Sequence, residues 1–261
     1  MIRRELKVSG QPDRWVLFRQ PDHAVFAASI AEGWQSRRFT PLEPRDDLLV
    51  AIHRHDDGWR AWEENPQVDR EHGRPIAFNE MPLAESVHIW RLSILEGQTR
   101  SPLQAYAIAG HFSSLLRGHD SWRKDARTRE IGEAFLAWTD QQSADWLAQW
   151  CATSSANTPE LAERAVAFVR LFDALSLWFL CAERTAPATL PTPAGPSLTI
   201  TPTSPTEMLV EPWPFLTERY HLSASGSAVP AVHYRSAEEL KAAPAKKIDL
   251  TWELQPRSSS G

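Results

Sequence analysis

The stretch LLVAIHRHDDGW, residues 48–59, passes from an apolar helical pattern into two histidines, two aspartates, a glycine and a tryptophan. It closes the longer segment 44–59, whose early acidic residues complement the positive end of a helix. Glycine often follows the last turn of a helix, so Gly58 is predicted to stop this one. His55 and Asp56 would then lie in the last turn, where both side chains can face one point. The stretch predicts a buried helix that ends in a functional site formed by titratable side chains.

Length and composition limit the class of protein. A chain of 261 residues can form one large domain, or one domain with a smaller appendage. A net charge of -5 provides no electrostatic surface for nucleic acid or an anionic membrane. Cys151 and Cys181 have neither disulfide-framework nor metal-ligand spacing, and no uninterrupted run of apolar residues approaches 18. We expect a cytoplasmic protein with no nucleic-acid or membrane partner, and the sequence leaves its oligomeric state open.

Hydrophobic periodicity predicts a mainly helical chain. A short strand is expected first, at residues 14–20, and a long polar loop at residues 60–81. Apolar residues at helical spacing predict helices at residues 21–34, 44–59, 82–95, 101–116, 128–150 and 158–183.

The composition changes after residue 184. Proline and threonine become frequent, and short strands are predicted at residues 197–201, 207–212, 220–225 and 246–256. The strand at residues 14–20 can pair with this tail. The expected fold class is mainly α: a helical bundle over residues 1–184 with a smaller C-terminal antiparallel β appendage, residues 185–261, packed on the same domain. Counting the appendage, the chain is α+β overall.

The last predicted long helix carries an unusual carboxylate. Between residues 165 and 182 its polar residues are Arg170, Asp173 and Ser176. A helix that is apolar nearly all round is buried, and burial of an unpaired charge is costly. Asp173 therefore needs a partner, and two candidates remain open: Arg170, three residues earlier on the same helix, or a bound cation.

Candidate ligands, all of them histidines or aspartates, occur on five of the six predicted helices, each of which has an apolar face. A single histidine on a helix is more often a hydrogen-bonded core or surface residue than a ligand, so the whole set carries the argument. Imidazoles and carboxylates without a thiolate suit Fe, Mn or Zn, as one ion or as a pair. The predicted metal ligands are His23, His55, Asp56, His88, His111 and Asp173.

The stretch AIHRHDDGW resembles the signature of the HD-domain superfamily, in which a helix ends in His-Asp. The superfamily order is a first His, then His-Asp, then a distant Asp; two-metal members add two histidines before that Asp. The whole chain also resembles an uncharacterised bacterial family, domain of unknown function 3891. The residues that carry this closer resemblance are QPDHAVFA, HDDGWRAWE, GRPIAFNEMPL, LFDALSLWF and VEPWPF.

The HD resemblance implies an HD-domain-like helical bundle that holds two divalent ions, with Fe or Mn preferred over Zn. Asp56 would bridge the ions. The other ligands would be His23, His55 and Asp173 on one ion and His88 and His111 on the other.

The same resemblance implies a metal-dependent hydrolase, in particular a phosphoester hydrolase that acts on a small anionic molecule. Many HD phosphohydrolases carry a lysine after the motif glycine, and this chain has Trp59 there. Arg60 and Arg74 can replace that lysine, because a guanidinium binds phosphate well. These two arginines, together with Trp59 and Trp62, are the predicted substrate-binding residues.

Three acidic residues are the predicted catalytic groups: Asp56 at the metals, Asp57 to orient a ligand imidazole or hold a water, and Glu80 as a general acid or base. Two other functions remain open. One is an HD-type mixed-valent di-iron oxygenase acting on a small polar organic substrate. Tryptophans near the ligands would line such a site and exclude water from it. The other is a metal-stabilised binding module without turnover.

Overall fold

The computed structural model of the protein describes residues 1–7 and 13–257. Its helices are α1 (Gln20–Gly33), α2 (Arg45–Arg54), α3 (Arg60–Glu63), α4 (Leu83–Gln98), α5 (Pro102–Arg117), α6 (Ala126–Thr153), α7 (Pro159–Leu180) and α8 (Ala237–Ala242). Its strands are β1 (Ile2–Leu6), β2 (Arg14–Phe18), β3 (Val68–Asp69), β4 (Arg74–Pro75), β5 (Ala188–Leu190), β6 (Leu198–Pro202), β7 (Glu207–Glu211), β8 (Tyr220–Pro230) and β9 (Lys246–Pro256). Single 3-10 turns cover Asp57–Trp59, Phe78–Glu80 and Ser121–Arg123.

Seven strands form one curled sheet in the order β1-β2-β8-β9-β7-β6-β5. Neighbouring strands are antiparallel except β7 and β9, which run parallel. The two longest strands, β8 and β9, pair over nine residues, from Tyr220 opposite Leu254 to Ala228 opposite Lys246. β3 and β4 form a separate two-stranded hairpin inside the segment predicted as a loop.

The prediction of a mainly helical bundle with a small antiparallel appendage is wrong, because the fold is α+β with a large mixed sheet. The sheet joins both ends of the chain: β2 pairs with β8 from Arg14 opposite Pro230 to Leu17 opposite Ser227. That pairing confirms the expected contact between residues 14–20 and the tail. The first strand, β1, was not predicted.

Local sequence explains why the sheet was underestimated. β1 reads IRREL, whose three charged residues hide its strand character, and the side chain of Arg4 is buried where it donates to the carbonyl oxygen of Phe179 at 3.2 Å. β8 reads YHLSASGSAVP, whose small residues resemble a turn after Ser225. Both strands are specified by their neighbours in the sheet rather than by intrinsic preference.

The predicted long helices are present with shifted ends. At α5 the hydroxyl of Ser101 accepts from the backbone N–H of Leu103 at 3.2 Å, and at α7 Thr158 accepts from Leu161 at 3.3 Å. Each cap residue precedes a proline at the first helical position, as expected for a helix start. None of the described helices is long and apolar enough to cross a membrane.

The helix that carries the opening motif ends earlier than predicted. α2 stops at Arg54, and Gly58 lies in the following 3-10 turn. Gly58 instead permits close packing against α4: its N–H donates to the Ser93 hydroxyl at 3.0 Å, and a Cβ there would lie 2.3 Å from the carbonyl oxygen of Ile89.

Helices α1 and α7 cover one face of the sheet. The rings of Phe26 on α1 and Phe179 on α7 pack against Trp252 of β9, with centroid separations of 5.6 and 5.2 Å. The Tyr220 hydroxyl of β8 donates to the backbone oxygen of Ser29 at 2.6 Å. Helices α2 and α5 pack on the side of α1 and α7 away from these contacts. The interior between these four helices contains the candidate site.

Candidate metal centre

His23, His55, Asp56 and Asp173, here called the His–Asp cluster, lie buried together. The Nε2 atom of His23 is 3.2 Å from Oδ2 of Asp56 and 3.3 Å from Oδ1 of Asp173. The corresponding distances from Nε2 of His55 are 3.5 and 3.4 Å. Two imidazole nitrogens and two carboxylate oxygens therefore face one point in the interior.

Three separate elements bring these side chains together. α1 carries His23 and α7 carries Asp173, while His55 follows the last residue of α2. Asp56 leaves the helical conformation, with φ -110° and ψ 18°, so that its carboxylate turns into the interior beside His55. The sequence-based expectation that this dipeptide points to one site is met by this break in the helix.

The geometry fits a metal ion. Ligand atoms of His23, His55 and Asp173 all lie within 4.8 Å of one another, so this buried group can hold an ion. Ligands held about 2.1 Å from a tetrahedral ion lie about 3.4 Å apart. The nitrogen–oxygen distances of 3.2 to 3.5 Å in the cluster are close to that separation. Nε2 of His23 and Nε2 of His55 are also buried without a hydrogen-bond partner in the described residues, which is costly unless something binds them.

Hydrogen bonds to the other ring nitrogens orient both imidazoles. Nδ1 of His55 lies 2.7 Å from the Ile52 carbonyl oxygen, which can only accept, so Nδ1 carries the proton. The Ser176 hydroxyl donates to the Asp173 carbonyl oxygen at 2.8 Å and therefore accepts from Nδ1 of His23 at 2.6 Å. In the neutral form of each ring, Nε2 then presents a lone pair to the cluster, as a metal ligand requires.

Electrostatics within the cluster are strongly coupled. Burial by itself would lower the pKa of His23, but the carboxylates of Asp173 and Asp56, 3.3 and 3.2 Å from its Nε2, outweigh burial and raise that pKa to about 9. The pKa of Asp56 is lowered, because the attraction of His55 and His23 exceeds the effect of burial. Without a metal ion, protons shared with the imidazoles stabilise the two carboxylates. A cation would replace those protons.

His111 on α5 lies beside the cluster but outside the three-residue group with ligand spacing. Its ring packs edge-on against His55 with a centroid separation of 5.3 Å, and its buried Nδ1 has no hydrogen-bond partner among residues 1–7 and 13–257. Burial lowers the pKa of His111 to about 4, so the ring is neutral at pH 7. His111 thus lies next to the His–Asp cluster, and its role as a metal ligand stays a prediction.

The structure does not bring His88 to the cluster. The buried positions of α4 include Ser86, Ile89, Ser93 and Gly97, which repeat every three or four residues along one face. His88 falls on the opposite, exposed face. The prediction of His88 as a metal ligand is therefore not supported by its position, and the two-ion arrangement loses one of the two histidines assigned to its second ion.

Asp57 faces away from the cluster, and its predicted role of orienting a ligand imidazole or holding a water is not supported by its contacts. Its buried carboxylate accepts from Arg60 at 2.6 Å, Arg54 at 3.0 Å and Arg100 at 3.5 Å. Adjacent residues in the 3-10 turn point in different directions, so Asp56 and Asp57 reach separate environments. Arg60 is half exposed and paired here, which also removes it from the predicted substrate site.

Glu80 and Arg74 form a surface ion pair, and the predicted catalytic and substrate-binding roles are not supported by their positions. Oε1 of Glu80 accepts from Arg74 at 2.8 Å, and both of its oxygens accept from Arg3 at 2.8 Å. The hydrogen bonds from Arg3 lower the pKa of Glu80, so it is an anion at neutral pH. Neither residue lines the cavity beside the cluster.

A cavity of about 630 Å³ opens beside the cluster, and Asp56, His111 and Asp173 form part of its lining. Trp59 is buried and forms another part of its wall, and its role in binding a substrate stays a prediction. Trp62 does not line the cavity. Its ring packs edge-on behind Trp59 at 5.7 Å, and its Nε1 donates to Glu85 at 3.3 Å.

Sequence reasoning missed two polar residues of the site. Ser176 orients His23, and its position three residues after Asp173 on an apolar helix was a usable signal. Gln20 begins α1 and lines the cavity, with its buried Oε1 unpartnered in the described residues. Its backbone N–H donates to Glu63 at 2.9 Å. Nothing in the local sequence around Gln20 indicated this role.

Comparisons with known proteins identify a family. No curated protein and no solved structure matches the chain. The model of a family described as protein of unknown function (DUF3891) matches residues 1–231, which include the whole His–Asp cluster and all residues that line the adjoining cavity. This match confirms the closer of the two resemblances stated from the sequence. The chain belongs to the DUF3891 family.

Proposed function

We propose that the protein is a metal-dependent phosphoester hydrolase whose single divalent ion is held by His23, His55, Asp56 and Asp173. The observation that carries the proposal is the pair of unpartnered Nε2 atoms, which face two carboxylates at ligand spacing beside an open cavity. The order of these ligands along the chain resembles that of HD-domain hydrolases. That resemblance of ligand order, and not the fold, supports phosphoester hydrolysis as the reaction.

The donor set suits Mn, Fe or Zn, because it combines two imidazoles with two carboxylates and contains no thiolate. A divalent ion at such a site supplies Lewis acidity toward a phosphoryl oxygen and lowers the pKa of water. The chain's own groups bind and orient. Ser176 and the Ile52 carbonyl hold the two imidazoles, while Gln20 Oε1 and His111 Nδ1 are unpartnered polar atoms on residues that line the cavity. These two atoms are available to position water or a substrate hydroxyl.

Metal analysis of protein purified without a chelator tests the centre. We expect about one Mn, Fe or Zn ion per chain, since one ligand set is complete. The ion should be lost in His55→Ala and retained in His88→Ala, which removes the same side chain from an exposed helix face. Protein without bound metal would contradict the proposal. Two ions per chain in the native protein and one in His88→Ala would instead support the two-ion arrangement.

Turnover of bis(p-nitrophenyl) phosphate with added Mn²⁺ tests the reaction. Hydrolysis should be present in the native protein and in His88→Ala, and should fall to background in Asp56→Asn. Metal-loaded protein that hydrolyses no phosphoester in a broad panel would contradict the proposed reaction. A mixed-valent iron signal joined to oxygen uptake would instead support the oxygenase.

A further inference from the structure

The cavity beside the cluster has an aromatic wall. Trp90 and Phe112 are stacked, with a centroid separation of 5.3 Å and an interplanar angle of 15°. Trp59, Phe78 and Trp122 complete this wall. We call these five side chains the aromatic wall of the cavity. They present flat apolar surface within the same space that Asp56 and Asp173 line.

Part of this apolar surface is not covered by protein. Phe78, Met81, Leu83, Trp90 and Leu177 all line the cavity and are only half-buried. Apolar side chains that are exposed inside a concave site gain free energy when a ligand removes water from them. The organic part of the ligand is therefore expected to be apolar and large enough to contact several of these side chains.

The charges of the cavity limit the charge of the ligand. Among the described residues, its lining includes Asp56, Asp125 and Asp173, and it contains no lysine or arginine. The two carboxylates that hold a divalent cation balance its charge, so the cation and these two groups together have no net positive charge. A ligand with several negative charges, such as a nucleoside triphosphate, would lack the arginines or lysines that usually bind phosphate groups.

We propose that the cavity binds a substrate in which an aryl or similarly flat apolar group is esterified to a phosphoryl group that carries a single negative charge. The organic group lies against the aromatic wall, and the phosphoryl group lies at the His–Asp cluster. The identity of the cleaved bond rests on the proposed function. The affinity for a flat apolar group rests on the cavity alone.

A second, smaller cavity provides the rival position for an anion. It has a volume of about 340 Å³, shares His111, Leu115 and Asp173 with the first cavity, and includes Arg170 in its lining. A phosphate group held there would contact Arg170, with its organic group outside the aromatic wall. The two positions predict different effects of substitution.

Binding of 2-naphthol and diphenyl phosphate, measured by calorimetry, tests the inference. We expect 2-naphthol, which is neutral and contains no phosphoryl group, to bind the metal-free protein saturably. We expect diphenyl phosphate to bind the Mn²⁺-loaded protein at least about tenfold more tightly than dimethyl phosphate, which has the same charge. It should also bind more tightly than phenyl phosphate at pH 8, which has a second negative charge. Equal affinity for the two diesters, or tighter binding of phenyl phosphate, would overturn the inference.

Matched variants locate the ligand. Trp90→Ala should weaken binding of both aryl probes by about tenfold, whereas Trp178→Ala, at a half-buried helical tryptophan outside both cavities, should leave it unchanged. Leu115→Gln and its control Leu92→Gln provide a second pair, because both leucines are 38% exposed and only Leu115 lines a cavity. Leu115 lines both cavities, so this pair tests binding beside the cluster, and Trp90→Ala and Arg170→Gln distinguish the two positions. Circular dichroism verifies folding. Arg170→Gln should not change the affinity; a loss there would place the ligand in the smaller cavity and overturn the inference.

The outcomes separate the inference from the proposed function. Aryl binding at the cavity without hydrolysis of any phosphoester would contradict the hydrolase and leave the cavity's preference for flat apolar groups established. Hydrolysis of phosphodiesters without a binding preference for aryl over methyl esters would support the hydrolase and overturn the inference.

Discussion

Nδ1 of His23 lies 2.6 Å from the hydroxyl of Ser176, and this contact determines which ring nitrogen faces the His–Asp cluster. The hydroxyl is anchored in turn by the Asp173 backbone oxygen at 2.8 Å. One helix thus supplies both a candidate ligand, Asp173, and the group that orients a candidate ligand on another helix, His23. Residues that orient metal ligands usually contribute measurably to metal affinity.

We expect Ser176→Ala to weaken metal binding by about 10-fold to 100-fold, because His23 loses the acceptor for its Nδ1 proton. Competition with a fluorescent chelator measures the affinity. Ser113→Ala is the matched control, since Ser113 is an equally buried helical serine that donates to Thr139 instead. Equal metal affinity in the two variants would contradict the orienting role of Ser176.

Metal binding should release protons at pH 7. The pKa of His23 in the metal-free protein is raised to about 9 by Asp173 and Asp56 against the effect of burial, so its imidazole is protonated at pH 7. A metal ligand must be neutral, and that proton must leave. Calorimetry in two buffers of different ionisation enthalpy should detect the release, and metal affinity should increase as the pH rises toward 9. Affinity that falls with pH over this range would contradict the assignment.

The metal-free protein should lose stability as the pH rises. A pKa raised from 6.5 to about 9 contributes stability that is fully present below 6.5 and lost as the pH passes through 9. Urea unfolding of chelator-treated protein should therefore give a lower free energy of unfolding at pH 9 than at pH 6.5. The difference should shrink in His23→Gln, whose side chain does not titrate. If the free energies of unfolding of the native protein and of His23→Gln differ by the same amount at both pH values, this coupling is contradicted.

Asp57 should matter for stability and not for metal binding. Asp57→Ala removes a buried carboxylate that accepts hydrogen bonds from Arg60 and Arg54, and we expect a loss of about 1–2 kcal/mol because the arginines remain partly solvated. Asp140→Ala, in an exposed pair with Arg117, should cost about 0.5 kcal/mol or less. Urea unfolding and metal analysis provide the two measurements. If Asp57→Ala folds but binds no metal, Asp57 contributes to metal binding and the expectation is contradicted.

Gly58 should tolerate no side chain. An added Cβ would lie 2.3 Å from the Ile89 backbone oxygen and 2.7 Å from the Ser93 nitrogen, so Gly58→Ala should destabilise the fold by about 2–3 kcal/mol. At Gly118 the nearest neighbour, the Ser114 oxygen, is 3.3 Å away, and Gly118→Ala should cost less than about 1 kcal/mol. Thermal unfolding compares the two. If Gly58→Ala is as stable as Gly118→Ala, the prediction is contradicted, because α4 can then move away from residue 58 without a large loss of stability.

Local sequence information was sufficient for most helices and for the type of site. Helix starts at Ser101 and Thr158 follow from cap chemistry that involves neighbouring residues alone. Asp173 was recognisable because a carboxylate in an apolar helix must be paired, and the structure pairs it with His23 and His55. The alternative partner, Arg170, is exposed and contacts the smaller cavity instead.

The sequence by itself determined the helices that carry the His–Asp cluster and the order of its residues along the chain, because capping and hydrophobic period act over a few residues. Tertiary structure decided which histidines meet: His88 and His111 looked equivalent on adjacent helices, and only the packing of α4 and α5 exposes one and buries the other. It also decided the sheet, because β2 and β8 pair with each other across more than 200 residues of the chain. Such contacts form only when the whole chain is folded, and no local pattern encodes them.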